Sequence, residues 1–411
     1  MTETSDATQF VLPGGFRFGA AMAGLKKSGR TDFALIVADT PSSAAAAFTS
    51  NRVTAAPLIV DKEHLRISKG KVRVVAINAG NANCAVGVAG LDAARATCDA
   101  AARLFGCKPE EVFPSSTGVI GVPLPAEKLI SSLPGLAASL DADFDHFEQV
   151  AEAILTTDTI EKTAFARLQV PGPDGVPRNV HIAALCKGSG MIHPRLVPHA
   201  TMLVYILTDA AVEPAVLSKF LSTSIETSFN RISVDGDTST NDTVLLLASG
   251  ASGVDVGPAD TQFPVALTQV CTSLARQIVA DGEGVSHVVE LRIDGAATDA
   301  DALKVAKAIA HSPLVKTAWS GCDPNWGRLM AAIGYSGAQI DPELIEINFG
   351  ELAICRNGCR AEEFDEAAAH AYISQPEFSV AITLNQGVGA CIFWTTDLTH
   401  EYISINADYS T

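Results

Sequence analysis

Short runs rich in Val, Ile and Leu alternate along this chain with longer segments whose apolar residues recur every three or four positions. The short runs predict strands at Phe33 to Ala38, Val72 to Ile77, Leu203 to Leu207, Val244 to Ala248, His287 to Ile293, Ile345 to Phe349, Val380 to Leu384 and Ala390 to Trp394. The longer segments predict helices at Leu91 to Phe105, Glu148 to Leu155, Pro214 to Ser228, Pro264 to Ala280 and Asp301 to Ala310. In the first helix Ala94, Cys98, Ala101, Ala102 and Phe105 fall on one stripe, and Val270, Leu274 and Ile278 do the same in the fourth. Such stripes face a core. The alternation predicts an α/β fold in which helices cover sheets. No short repeat, low-complexity tract or Gly/Ser linker divides the chain.

Composition strengthens this picture. A chain of 411 residues, 47% hydrophobic and 18% charged, has ample material for a core, either as two or three domains or as one large layered unit. Its net charge of −17, from 29 basic and 46 acidic side chains, repels polyanions and so argues against nucleic acid or an anionic membrane as the main partner. No run has the length of a membrane-spanning helix, and the acidic, hydroxyl-rich N-terminus does not read as a secretory signal. Nine cysteines without framework spacing fit a reduced cytoplasmic setting.

One junction carries candidate chemistry. A Gly/Pro-rich loop beginning at Lys187 runs at Ala200-Thr201 into an apolar, β-branched segment. By itself this reads as the start of a strand. A second reading is that the chain cuts itself before Thr201, whose freed α-amine, titrating near ~8, would serve its own hydroxyl as base. Other motifs read as structure. Cys355 and Cys359 are a close pair with no further ligands nearby to make a zinc site. Asp235, Asp237, Asn241 and Asp242 lack the spacing and closing Glu of a calcium loop and read as turn formers. Gly19 to Gly24 is followed by Leu25, not by the Lys of a phosphate loop, and Ser189 is not in a nucleophile elbow. The segment Asp323 to Arg328 reads as a turn with an aromatic anchor, with Arg328 a candidate neighbour of a pocket.

Several long motifs, collinear over nearly the whole chain, resemble the ornithine acetyltransferase (glutamate N-acetyltransferase) family. They are GFRFGAAMAGLKKSGRTDFALI, AINAGNANCAVG, FPSSTGVIG, LTTDT, KGSGMI, the Ala-Thr-Met-Leu junction, SFNRISVDGDTSTNDT, VADGEG, LVKTAWSGCDPNWGRL and the terminal INADYST. The resemblance implies a four-layer α/β/β/α sandwich of the self-cleaved, N-terminal-nucleophile type. Its fragments would be residues 1–200 and 201–411, interlocked as one folded unit and assembled as an α2β2 heterotetramer. Thr201 becomes the nucleophile, Thr117 and Gly118 the oxyanion hole, and Ala200-Thr201 the cleavage site. Substrate contacts fall on Thr156, Lys187, Thr201, Glu283, Asn406 and the final Thr411. The implied activity is transfer of acetyl from N2-acetyl-L-ornithine to L-glutamate through an acetyl-threonine, in arginine biosynthesis. No metal or prosthetic group is called for, and acetyl-CoA is a candidate co-substrate.

The chain departs from the family at His193 to His199, where about three extra residues appear. Pro194 and Pro198 restrict the backbone there, which either strains the scissile bond or displaces it. His193 and His199 read as polar residues on the loop surface. Two rival functions follow: an N-terminal-nucleophile aminopeptidase or amidohydrolase with water as acceptor, and an uncleaved, non-catalytic binding relative.

Overall fold

The computed structural model describes residues 11–171, 175–194 and 202–408. Eight strands form the first sheet: β1 (Phe16–Ala21), β2 (Phe33–Phe48), β3 (Lys71–Asn81), β4 (Val112–Val119), β5 (Lys162–Pro171), β6 (Pro177–Lys187), β7 (Leu203–Thr208) and β8 (Thr243–Ala248). Their order is β4-β3-β2-β8-β7-β6-β5, with β1 paired to β2. The β3/β4 and β7/β8 pairs are parallel and the other pairs antiparallel, so the sheet is mixed.

The apolar runs in β7 and β8 are continuous because both faces of this sheet are covered. Leu203, Tyr205, Leu207, Leu245 and Leu247 join a core with Phe16, Phe18 and the helix Phe144–Ala153. Val204, Ile206, Val244 and Leu246 point the other way, into a core with the helices Pro214–Thr227 and Gln262–Ala280. The predicted helical stripes sit where expected: Val270, Leu274 and Ile278 are buried in that second core, and Ala94, Cys98, Ala101 and Ala102 against β3 and the start of β2.

The second sheet contains β9 (Val288–Ala296), β10 (Glu346–Phe349), β11 (Leu352–Arg356), β12 (Cys359–Arg360), β13 (Glu377–Thr383) and β14 (Gly389–Thr396), ordered β12-β11-β10-β13-β9-β14. Its inner residues Val289, Leu291 and Ile293 pack with Val305, Ile309, Trp319, Leu329 and Ile333 in a core of their own. The two units meet where Trp394 of β14 enters the first unit's core and its carbonyl accepts the Ser233 N–H at 3.0 Å. The α/β expectation is borne out, with mixed sheets and helices on both sides of the first.

All eight predicted strands and five predicted helices are present, within a few residues of their expected bounds except for β2, which continues ten residues beyond Ala38 to Phe48. Those the pattern did not reveal have local disguises. β4 passes through Pro114-Ser115-Ser116, and the helix Ala126–Ala138 contains Pro134. In β5 the alternate positions are half-buried or exposed, which breaks the apolar run. The segment expected as a turn at Asp323 to Arg328 is a turn followed by the helix Trp326–Gly334, capped by Asn325, whose Oδ1 accepts the Arg328 N–H at 3.2 Å.

Candidate functional site

Four strand ends of the first sheet converge on one cavity of about 150 Å³. β4 brings Thr117 and Gly118, β6 ends at Lys187, and the loop before β8 brings Ser239, Thr240 and Asn241. Thr156, from the loop before β5, and Glu283, from the loop before β9, complete the walls. The helix His400–Asp408 carries Asn406 to the rim. A smaller cleft of about 30 Å³ shares Thr117, Lys187 and Asn241 and is lined also by Met202, Leu203 and Asp242. A larger cavity of about 420 Å³, near Lys71 and Glu213, is lined by none of the expected site residues.

The expected residues Thr117, Gly118, Thr156, Lys187, Glu283 and Asn406 therefore share one cavity, although they are scattered over nearly three hundred positions. Ala200, Thr201, His199, Pro198 and Thr411 lie outside the described residues. The register places the start of β7 beside the cavity, since Leu203 pairs with Lys187 on one side and with Thr243 on the other.

Gly118 has φ +127°, which favours glycine, and an added Cβ would stand 2.6 Å from the Asn81 nitrogen. The strand end can thus close onto β3 only with glycine at this position. Thr117 Oγ1 accepts from Lys187 Nζ at 3.3 Å, which leaves the threonine O–H to donate elsewhere. Asn241 ties the wall together, its Nδ2 donating to the carbonyls of Ala82 (2.6 Å) and Ser116 (2.8 Å). Glu283 Oε2 accepts from Asn406 Nδ2 at 2.8 Å. Gly284, at φ +65°, packs directly on the Tyr402 backbone, which seats the last helix against the Glu283 loop. Among the described lining residues Lys187 is the only cation and Glu283 the only anion.

Beneath the cavity lies a charge network that motif reading did not single out. Lys162 is fully buried and donates to Asp158 Oδ1 at 2.7 Å and to Asp281 Oδ2 at 2.5 Å. Asp158 also accepts the N–H groups of Gly188 (2.6 Å) and Thr156 (3.1 Å). Asp281 accepts the Thr159 N–H at 3.1 Å and the Thr159 hydroxyl, while its carbonyl accepts Ser189 Oγ at 2.6 Å. The Ser189 carbonyl in turn receives the Glu283 N–H at 3.1 Å. One lysine thus connects the segments holding Thr156, Lys187 and Glu283. Burial alone would raise the Asp158 pKa, but the charges of Lys187 and Lys162 and the Gly188 N–H outweigh it and hold the carboxyl down at about 2. Burial likewise opposes the charge on Lys162, and its two carboxylate partners more than compensate, raising its pKa.

Asp158 and Lys162 are four apart in sequence, but Asp281 is 119 positions from Lys162, so no local pattern marks the trio. Other expectations resolve as structure. Asp235 forms the expected turn, accepting the Asp237 N–H at 3.1 Å, and also holds the Met191 and Ile192 N–H groups. Ser189 is buried in the network, and Arg328 Nη1 donates to the Leu314 carbonyl at 2.7 Å, not to the cavity. His193 corrects the expectation of a loop-surface residue. It is 2% exposed because its ring packs edge-on against His311, with centroids 4.2 Å apart.

The family model of ArgJ matches residues 17–411. The chain belongs to the ArgJ family. It is 44% identical over 401 residues to the arginine biosynthesis bifunctional protein ArgJ of Geobacter sulfurreducens, covering 97% of this chain and 99% of that one. It is 40% identical over 421 residues to the protein of that name from Rhodopirellula baltica, covering 100% of both. Among solved structures it is similar to the bifunctional argJ protein of Bacillus halodurans, 41% identical with a TM-score of 0.48 over 50% of this chain and 98% of that one. It is also similar to the ornithine acetyltransferase of Mycobacterium tuberculosis complexed with ornithine, 33% identical with a TM-score of 0.39 over 45% and 94% of the two chains.

Proposed function

We propose that the protein is a self-processing ornithine acetyltransferase of arginine biosynthesis. Cleavage between Ala200 and Thr201 frees the threonine amine. The Thr201 hydroxyl attacks the acetyl carbonyl of N2-acetyl-L-ornithine, ornithine leaves, and acetyl stays as an ester on Thr201. The amine of L-glutamate then takes the acetyl, which regenerates the hydroxyl and gives N-acetyl-L-glutamate. The names borne by the family relatives support this reading, and the gathering of the six described site residues in one cavity carries it.

Each residue has a chemical task in this scheme. The Thr117 hydroxyl and the Gly118 N–H stabilise the oxyanion of the tetrahedral intermediate. Lys187 grips the substrate carboxylate, Thr156 offers a hydroxyl, and Glu283, held by Asn406, takes the ornithine ammonium or moves a proton. The fragments 1–200 and 201–411 stay joined after the cut because β6 and β7 pair from Ile182–Thr208 to Lys187–Leu203 within one sheet. The reading also includes a cytoplasmic setting, consistent with nine free thiols, and an α2β2 assembly.

The test is an assay of purified protein with acetylornithine in the presence and absence of glutamate. Glutamate-dependent formation of N-acetylglutamate is expected. Release of acetate as the main reaction without glutamate would contradict the assignment in favour of a hydrolase. In Thr117→Ala the loss of one oxyanion donor is expected to slow turnover by about a hundredfold, roughly 3 kcal/mol.

A further inference from the structure

Outside the cavity, the second unit places a thiol, an imidazole and a carboxylate in line. Cys322 Sγ lies 3.8 Å from His287 Nε2, and His287 Nδ1 lies 3.1 Å from Asp397 Oδ2. The three come from the turn after the helix Pro313–Ser320, the loop before β9 and the residue after β14. Asp397 Oδ1 also accepts the N–H groups of Ser286 and His287, each at 3.1 Å, so the carboxylate is fixed on the backbone that carries the ring. A carboxylate only accepts when ionised, so it holds the proton of the neutral ring on Nδ1. That leaves the lone pair of Nε2 facing the thiol. His370 Nδ1 contacts the Cys322 carbonyl at 2.6 Å and steadies the turn.

The other thiols lack this arrangement. Cys84, Cys98, Cys186, Cys271, Cys355 and Cys391 are buried. Cys107 is half-buried, with burial pushing its pKa up to about 11. Cys359 is exposed, and among the described residues no imidazole is hydrogen-bonded to it. Cys322 is half-buried and combines access to solvent with a base held in position.

We propose that Cys322 is a modification site: a thiol activated by His287 and Asp397 for reaction with small soft electrophiles and hydroperoxides. Toward hydrogen peroxide, Sγ attacks one oxygen, the S–O bond forms as the O–O bond breaks, and the thiol proton passes to His287 Nε2. That proton then joins the departing hydroxide, so thiol and peroxide give sulfenic acid and water, with sulfur oxidised and peroxide reduced. Toward iodoacetamide, the S–C bond forms, iodide leaves, and the thiol proton again goes to His287. Neither reaction uses the acetyl-transfer cavity, so the proposal stands or falls apart from the assigned function.

The experiment is substoichiometric iodoacetamide labelling of the native full-length protein near neutral pH, with the modified cysteines located by peptide mass spectrometry. Cys359 in the same molecule is the reference for an exposed thiol without a base. Cys322 is expected to be labelled about tenfold faster than Cys359, and His287→Asn to remove that advantage. Labelling of Cys322 at or below the rate of Cys359 in the native protein overturns the proposal, and so does an unchanged ratio in a folded His287→Asn variant. Continued protection of the six buried thiols reports that the variant is folded. A variant that unfolds leaves the native-protein ratio to decide. Hydrogen peroxide followed by dimedone trapping is expected to mark Cys322 first among the nine, and marking of Cys359 first counts against it.

Discussion

Two buried lysines, one beneath the cavity and one at the seam between the units, show how this fold treats internal charge. Lys162 is 0% exposed and Lys316 4% exposed, so both have left water. Lys162 lies between the carboxylates of Asp158 and Asp281, and its pKa is raised. Lys316 donates instead to neutral acceptors, the Thr396 carbonyl and, at 3.0 and 3.5 Å, the hydroxyls of Thr396 and Thr395. Burial there wins over the more distant charges of Asp397 and Asp235, and its pKa falls to about 7. The same side chain at the same depth is a fixed cation in one place and only about half charged at neutral pH in the other. What differs is whether carboxylates were buried with it. Beneath the cavity the paired charges also hold backbone N–H groups, and so they fix the loops that line it.

The largest expected effect comes from breaking the paired site. Lys162→Met leaves Asp158 and Asp281 buried without their cation and is expected to cost about 3–5 kcal/mol of stability, read as a shift in the urea midpoint. A loss below about 1 kcal/mol would mean that the carboxylates find water and that the network is not a rigid frame.

The acid limb of the wild type comes next. The folded-state pKa of Asp158 is depressed from 3.8 to about 2. Its contribution is therefore fully present above pH 3.8 and is lost as the pH falls toward 2. It is expected to amount to about 2 kcal/mol. Asp158→Asn removes that component of the slope, and an unaltered acid limb in this variant would contradict the assigned pairing.

A third effect has the opposite sign. Because the Lys316 pKa is depressed from 10.5 to about 7, wild-type stability falls as the pH drops through this interval and is level below it. Stability curves of Lys316→Met and wild type are therefore expected to move in the variant's favour as the pH falls from 10.5 toward 7. The Lys162→Met deficit is expected to stay constant over the same range, because Lys162 remains charged there in both states. Parallel curves for both variants would erase the distinction between the two sites.

The sequence carried these features unequally. β7 and β8 were legible because two covered faces leave an uninterrupted apolar run, and the helix Gln262–Ala280 because its stripe repeats over five turns. β4 was hidden because the residues that shape the cavity, from Ser115 to Gly118, look like a loop. The cavity residues were legible through family motifs and not through local pattern, since Thr117, Lys187 and Glu283 meet only after the strand ends converge. The Asp158–Lys162–Asp281 network was not legible at all as a unit, because a contact across 119 positions leaves no period in the chain. His193 was misread for a related reason: its partner His311 lies 118 positions away.

The central claim is that Thr201 is an N-terminal nucleophile, and denaturing intact-mass analysis of the freshly purified protein beside Thr201→Ala tests it most directly. Two fragments meeting at Ala200 and Thr201 in the wild type, with the variant uncut, are the expected result. A single intact chain in both would contradict it, and would favour the reading of the protein as an uncleaved, non-catalytic binding relative.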